Sequence, residues 1–240
     1  MKKILLSLLT FFSLAAFAQE ATDKDPFSTE RTLSGSFSAI TVTDGIDVYL
    51  TQGQTESVTV SSSDEKYMSR FKTEVVNGTL KIYYDNKGIN WAFNEKRKLK
   101  AWVTFKNIDK LHVSGGASVK VPGTIEADKL DMRFTSGSHF TGRINAKEIT
   151  VDQNSGSGMT VSGRADKITV EGSSGSIFKG FDLAVDYCDA KASSGAGVHI
   201  TINKELNAKA NSGGGIKYKG SALIKDVNIS SGGVVKREKK

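Results

Sequence analysis

Residues 134–159 read FTSGSHFTGRINAKEITVDQNSGSGM, and within them the step Ser136-Gly137-Ser138 returns as Ser155-Gly156-Ser157 after 19 residues. Working outward, the same Ser-Gly-small step stands at Ser114-Gly115-Gly116, Ser174-Gly175-Ser176, Ser194-Gly195-Ala196, Ser212-Gly213-Gly214 and Ser231-Gly232-Gly233. The marker glycines Gly115, Gly137, Gly156, Gly175, Gly195, Gly213 and Gly232 are separated by 22, 19, 19, 20, 18 and 19 residues. A period this regular, and too short for a propeller blade, suits one coil of a solenoid.

Apolar residues alternate on both sides of the markers. Leu130, Met132 and Phe134 precede one marker, and Ile149 with Val151 and Ile168 with Val170 precede the next two. Met159 with Val161, Val198 with Ile200 and Ile202, and Ile216 with Tyr218 follow others. Period two means strands, so each coil carries at least two short strands joined at a Ser-Gly corner. Glycine is expected there for positive φ and for close stacking of one corner on the next. Coils rising about 4.8 Å each give a rod on the order of 30 Å long, an all-β parallel solenoid over residues 108–235. Charged residues such as Lys147, Glu148, Asp166 and Lys167 fall at exposed positions and keep neighbouring rods from pairing.

Residues 37–107 read as a β-rich N-terminal subdomain. Phe37 to Val42 and Ile46 to Leu50 are strands around the Asp44-Gly45 turn, Ser57 to Val60 is a third, and Asp64 to Lys72 allows one helical turn. Asn77-Gly78 between Phe71–Val76 and Thr79–Tyr84 is the strongest hairpin signal in the chain. The order Phe37-x-x-Ile40-x-Val42, Gly45-Ile46-Asp47-Val48-Tyr49-Leu50, Asn77-Gly78-Thr79-Leu80, Leu111-His112-Val113-Ser114-Gly115 and the recurring Ser-Gly steps resembles the head GIN domain family. These are autotransporter-adhesin head domains in exported proteins of Gram-negative bacteria. The resemblance spans about residues 37–218 and implies an all-β, solenoid-like fold and an adhesin-like role.

The chain begins with Lys2-Lys3, an apolar run from Ile4 to Phe17 and the exit Ala16-Phe17-Ala18 before Gln19, the plan of a secretory signal over residues 1–18. The run is shorter than the roughly 20 residues that span a bilayer, and no second one follows. Cleavage is therefore expected, with the product in the periplasm, on the outer membrane or outside the cell. Residues 19–36, polar and containing Pro26, read as a flexible lead-in. The only cysteine, Cys188, is too far from the cleavage point for lipid attachment and is expected to be a buried strand residue. Two prolines against 24 glycines favour strands and tight turns.

The formal charge of +7 falls to about +5 without Lys2 and Lys3, a mild bias that fits an anionic envelope surface or glycan better than nucleic acid. His112, His139 and His199 lie beside different markers, and no zinc or calcium motif accompanies them, so no metal and no cofactor are expected. Near-constant coil lengths leave no long loops from which a polysaccharide-cleaving cleft is built, and no catalytic residue is assigned. Asp182, Asp186 and Asp189 read as solvated acids. The irregular stretch 85–98 joins Trp91 and Phe93 to Lys96, Arg97 and Lys98. Rings beside cations can hold sugars and acidic groups, so these five residues are the candidate ligand contacts. The alternative has Trp91 and Phe93 capping the rod.

A surface glycan or other envelope component is thus the expected partner. The remaining alternatives are a structural or stress-related envelope role without a ligand and, more distantly, an enzyme acting on acidic polysaccharide. The basic tail 236–240 beside an open strand edge is expected to keep the rod monomeric, its ends being the route to any oligomer. Mass spectrometry of the secreted form should find Gln19 at the N-terminus; a mature chain retaining Met1 would contradict the signal assignment.

Overall fold

The computed structural model describes residues 27–87 and 97–239. It is 67% strand and 2% helix, a β-solenoid of about seven turns. Sixteen strands belong to one sheet. The regular coils are long, bent strands: β9 (Ser118–Phe134), β10 (His139–Gln153), β11 (Gly158–Gly172), β12 (Ile177–Ala192) and β13 (Gly197–Ala210). Each pairs in parallel with the next, as in Phe140↔Met159 and Val151↔Val170. In every coil one leg leaves the Ser-Gly corner and another returns to the next corner.

The corner is built from two consecutive residues in the left-handed region. Ser155 and Gly156 have φ of 52° and 71°, and the pairs at 136–137, 174–175, 194–195, 212–213 and 231–232 repeat this. Two such residues in a row make the tight turn that reverses a chain without splaying its strands. Each second corner residue donates its N–H to the carbonyl of the first corner residue one coil on. Gly137 to Ser155, Gly156 to Ser174 and Gly175 to Ser194 are all 3.0 Å. The next residue points inward, where the buried Ser138, Ser157 and Ser176 hydroxyls donate to the carbonyls of Val113, Phe134 and Gln153 at 3.0, 2.9 and 3.2 Å. That satisfies three buried polar groups inside an apolar core.

Two readings of the corners change. At the first marker the turn is Gly115-Gly116, with φ of 61° and 74°, so Gly116 and not Gly115 is equivalent to Gly137. At the third residue of the last two corners a Cβ on Gly214 or Gly233 would run into the carbonyl of Ala192 or Ala210, but close stacking is absent at the second corner residue, because a Cβ at Gly137, Gly156, Gly175, Gly195, Gly213 or Gly232 would have nothing within 4 Å. Conformation alone asks for glycine there. Crowding occurs instead at Gly163, where φ is 115° and a Cβ would run into the Ile144 carbonyl.

Asp44-Gly45 is a corner of the same column and not a hairpin. Its φ angles are 64° and 69°, and the Gly45 N–H donates to Gly115 O at 2.9 Å. The flanking strands β2 (Ala39–Val42) and β3 (Asp47–Gln52) do not pair with each other. β2 pairs in parallel with β8 (Lys110–Val113), and β3 with β9, so the sheet crosses from residues 37–107 into the repeats without a break. On its other side this coil is covered by β6 (Thr79–Tyr84) on β2 and β7 (Lys100–Phe105) on β3, both parallel.

Beyond that coil the pairing becomes antiparallel. β4 (Ser57–Ser62) runs along β7, and β5 (Phe71–Val76) joins β6 through the Asn77-Gly78 hairpin. The one-turn helix α1 (Glu65–Met68), capped by Asp64, links β4 to β5. Part of the lead-in is ordered as well: β1 (Phe27–Arg31) pairs antiparallel with β4, and Arg31 donates to the carbonyls of Met68 and Phe71 at 3.1 and 3.2 Å. Antiparallel strands thus close this end of the rod.

The opposite end is open. β14 (Gly215–Lys219) and β15 (Leu223–Ile229) form the last coil, and β16 (Val234–Arg237) pairs only with β14. Lys236 and Arg237 of the expected tail therefore belong to a strand. Ile224, Val227 and Ile229 stand in register below the buried Leu206, Ala208 and Ala210, yet remain 52%, 36% and 50% exposed because no coil lies beneath them.

Chemical denaturation separates the two glycine classes. Gly175→Ala should cost about 1–2 kcal/mol, the price of a left-handed L-residue. Gly163→Ala adds a collision with backbone and should cost about 3 kcal/mol or more. Equal costs would mean that Gly163 is not held against Ile144.

Candidate ligand-binding faces

Because the corners are in phase, a residue at a fixed distance from the corner falls in one straight column down the rod. The fourth residue after each second corner residue points outward on the leaving leg. In spatial order the column is Tyr49, Lys120, Thr141, Thr160, Lys179, His199, Lys217 and Lys236, each in register with the next. Trp102 of β7 continues it past Tyr49. Its two rings stack at 5.7 Å between centroids and 10° between planes, and the Lys120 ammonium lies 5.7 Å from the Tyr49 ring.

Two residues nearer the corner, the neighbouring outward column includes Gly158, Gly197 and Gly215. Without side chains there, the Lys and Thr column borders a shallow trough. A depression of about 220 Å³ in it is lined by His139, Thr141, Gly158, Thr160, Ile177 and Lys179. On the outer side, Phe181 stacks on His199 at 5.2 Å, and the Lys219 ammonium lies 4.5 Å from the Phe181 ring.

The electrostatics of the two legs differ. On the returning leg, charges of opposite sign face each other from coil to coil. Lys129 meets Glu148 at 3.0 Å, Arg133 meets Asp152 at 3.4 Å, Lys191 meets Glu171 at 2.5 Å and Lys225 meets Glu205 at 3.1 Å. Around the leaving-leg column, the outward cations Lys120, Arg143, Lys179, Lys217, Lys219 and Lys236 stand against the carboxylates Asp47, Asp182 and Glu238. Among the described residues only Lys217 of these six has an ion pair, with Glu238 at 3.7 Å. Burial, and then Lys217 and Lys179, hold the His199 imidazole below its usual range, while Glu238 opposes them.

Trp91, Phe93 and Lys96 lie outside the described residues. Arg97 is engaged in the stem of their loop: its guanidinium donates to Asn86 Oδ1 at 3.1 Å and lies 4.2 Å from the Tyr84 ring. Asn86 in turn donates to Asp44 at 3.0 Å, and Ser63 donates to the Arg97 carbonyl through both its N–H and its hydroxyl. Lys98 is exposed, with φ of 42°.

The remaining titratable groups separate. His112 faces outward on the returning leg beside Arg133, away from His139 and His199. Asp186 pairs with Lys204 at 2.6 Å, and Asp189 accepts from Asn207 at 2.6 Å. No group of three or more His, Cys, Asp or Glu among the described residues could hold a metal. Cys188 is buried, and desolvation pushes its thiol well above the ordinary range, which makes it unreactive. A depression of about 920 Å³ lies by the open end among Thr201, Asn203, Lys219, Gly220, Arg237 and Glu238. Among the described residues no helix is long and apolar enough to cross a membrane.

The described chain is thus a capped parallel β-solenoid with an aromatic and basic outward column. The chain belongs to the family described as "Putative auto-transporter adhesin, head GIN domain", whose model matches residues 36–222. Solved structures share the fold. A putative adhesin from Bacteroides fragilis superposes with a TM-score of 0.80 at 17% identity, covering 88% of this chain and 96% of the other. A putative adhesin from Parabacteroides distasonis gives 0.70 at 20% identity, with 88% and 96% covered. A protein of the same organism described as a putative lipid binding protein gives 0.60 at 19% identity, with 90% and 98% covered. No curated protein matches the chain.

Proposed function

We propose that the chain is an exported, non-enzymatic protein of the cell envelope that works as an adhesin-like, carbohydrate-binding module. The observation that carries this reading is the leaving-leg side, an open surface running the length of the solenoid with stacked Tyr49 and Trp102 at one end and lysines along it. Aromatic rings next to hydroxyls and cations suit sugars, which offer apolar ring faces and many hydroxyls together. Family membership favours adhesion. Separated acids with individual partners, Asp186 and Asp189 among them, favour binding over hydrolysis, which needs two carboxylates at one locus.

Trp91, Phe93, Lys96, Arg97 and Lys98 enter this reading as contact residues of the loop between β6 and β7. The described residues Asn86 and Arg97, which flank Trp91 and Phe93 in the chain, are joined to Asp44 through the Asn86 side chain. Arg97 serves mainly to hold the loop stem, leaving Trp91 as the side chain to test.

A glycan array probed with the secreted protein tests the reading. Reproducible binding to a subset of glycans is expected. Trp91→Ala should weaken it about tenfold, the loss of one stacking contact, at an unchanged melting temperature. Failure to bind any glycan would leave a structural envelope role instead.

A further inference from the structure

The lysines of the leaving-leg column are arranged in a way that folding alone does not favour. Lys217 stands directly in register with Lys236. Like charges opposite one another on neighbouring strands destabilise a sheet. The returning leg of the same coils shows that alternating charges fit this backbone equally well. Lys120 and Lys179 have no carboxylate partner among the described residues, and Thr141 and Thr160 between them are exposed hydroxyls.

We infer that this column, from Tyr49 to Lys236, binds an extended acidic polysaccharide lying along the rod axis, with its carboxylate or sulfate groups on Lys120, Lys179, Lys217 and Lys236. The inference rests on the carbohydrate-binding reading above and names its ligand class and its orientation.

Geometry supports a linear polymer. The coil rise of about 4.8 Å matches the length of a single pyranose in an extended chain, so successive sugars keep step with successive coils. Lys120 and Lys179 are three coils apart and Lys179 and Lys217 two, roughly 14 and 10 Å. Acidic groups recurring every second or third sugar meet that spacing. The open space over Gly197 and Gly215, adjacent in their column, lets sugar rings lie against the backbone beside Lys217 while the lysines reach their acidic substituents. Thr141 and Thr160 offer hydroxyls to the uncharged sugars between.

Other anionic macromolecules fit less well. Single-stranded nucleic acid binds through aromatic rings interleaved singly with cations, whereas here the half-buried rings fall in two stacked pairs, Tyr49 with Trp102 and Phe181 with His199. A membrane surface calls for a cluster of apolar residues that insert beside the cations, and in the column next to the lysines the exposed aliphatic residues Ile177 and Val234 are kept apart by Gly197 and Gly215.

The test uses the secreted protein with polygalacturonate as a carboxylated polymer, heparin as a sulfated one, dextran as a neutral one, phosphatidylglycerol vesicles and single-stranded DNA. At least one acidic polysaccharide should bind more tightly than dextran, vesicles or DNA, with affinity falling as salt rises. The exposed pair Lys179→Gln and Lys217→Gln together should weaken binding about fivefold or more without lowering the melting temperature. Lys167→Gln with Lys191→Gln, on the returning leg, should leave binding unchanged.

His199 supplies an independent reading. Lys217, Lys179 and Glu238 set its field and Phe181 covers one ring face, so a bound polyanion should move its NMR titration to higher pH. Equal losses from both lysine pairs, or an unmoved His199 titration under saturating polymer, would overturn the assignment to this column. Dextran binding as tightly as the acidic polymers would overturn the acidic ligand while preserving carbohydrate binding. Tighter binding of vesicles or DNA would overturn it in favour of those partners, and no glycan binding at all would remove both this inference and the reading beneath it.

Discussion

The rod depends on a backbone ladder at its corners. Seven hydrogen bonds, from Gly45 to Gly115 at 2.9 Å through to Gly213 and Ser231 at 3.2 Å, tie the second residue of each turn to the first residue of the turn below. Two consecutive residues in the left-handed region expose that N–H and that carbonyl along the rod axis, and Ser-Gly is an inexpensive pair for the purpose. Coils of slightly different length are brought back into phase at every corner. Variation is absorbed elsewhere, in register shifts such as those between Gly180 and Ala184 and between Val185 and Tyr187.

Phase converts a one-dimensional sequence into columns, and the columns have different uses. The inward ones carry Val119, Phe140, Met159, Phe178, Val198 and Ile216, all buried, on the leaving leg. Outward columns of the returning leg neutralise themselves through ion pairs between coils. These exposed pairs contribute little energy singly, but they remove the repulsion that stacked like charges would create. Among the described residues the leaving-leg column has such an ion pair only at Lys217, with Glu238, and so differs from the returning leg.

Much of the architecture was legible in the chain. The Ser-Gly spacing revealed the coil, and Asn77-Gly78 revealed the hairpin, because both signals demand a particular backbone conformation. Ser114-Gly115-Gly116 misled by one residue, since adjacent glycines allow the turn in either register and only the strand pairing selects Gly115-Gly116. Asp44-Gly45 escaped the periodicity because β4 to β7 are inserted before the next corner, and an Asp-Gly step between alternating strands looks like any hairpin. Phe27 to Arg31 lacks an alternating pattern, as an edge strand with one neighbour allows. The lysine column was legible in principle at four residues past each corner glycine. It became visible only after the first register was corrected and Asp44-Gly45 joined the series. Contacts of Arg97 with Asn86 and Tyr84 had no sequence signal, because they join residues on either side of a stretch whose sequence has no periodic pattern.

The central claim is that in-phase corners hold the outward residues in one straight column. Pulsed dipolar spectroscopy between spin labels at Lys120→Cys and Lys217→Cys, with the buried Cys188 left unlabelled, measures it directly. Five coil steps predict a narrow distribution of backbone separation near 24 Å. A broad distribution, or a separation well beyond about 30 Å, would show that the coils drift out of phase and would contradict the account.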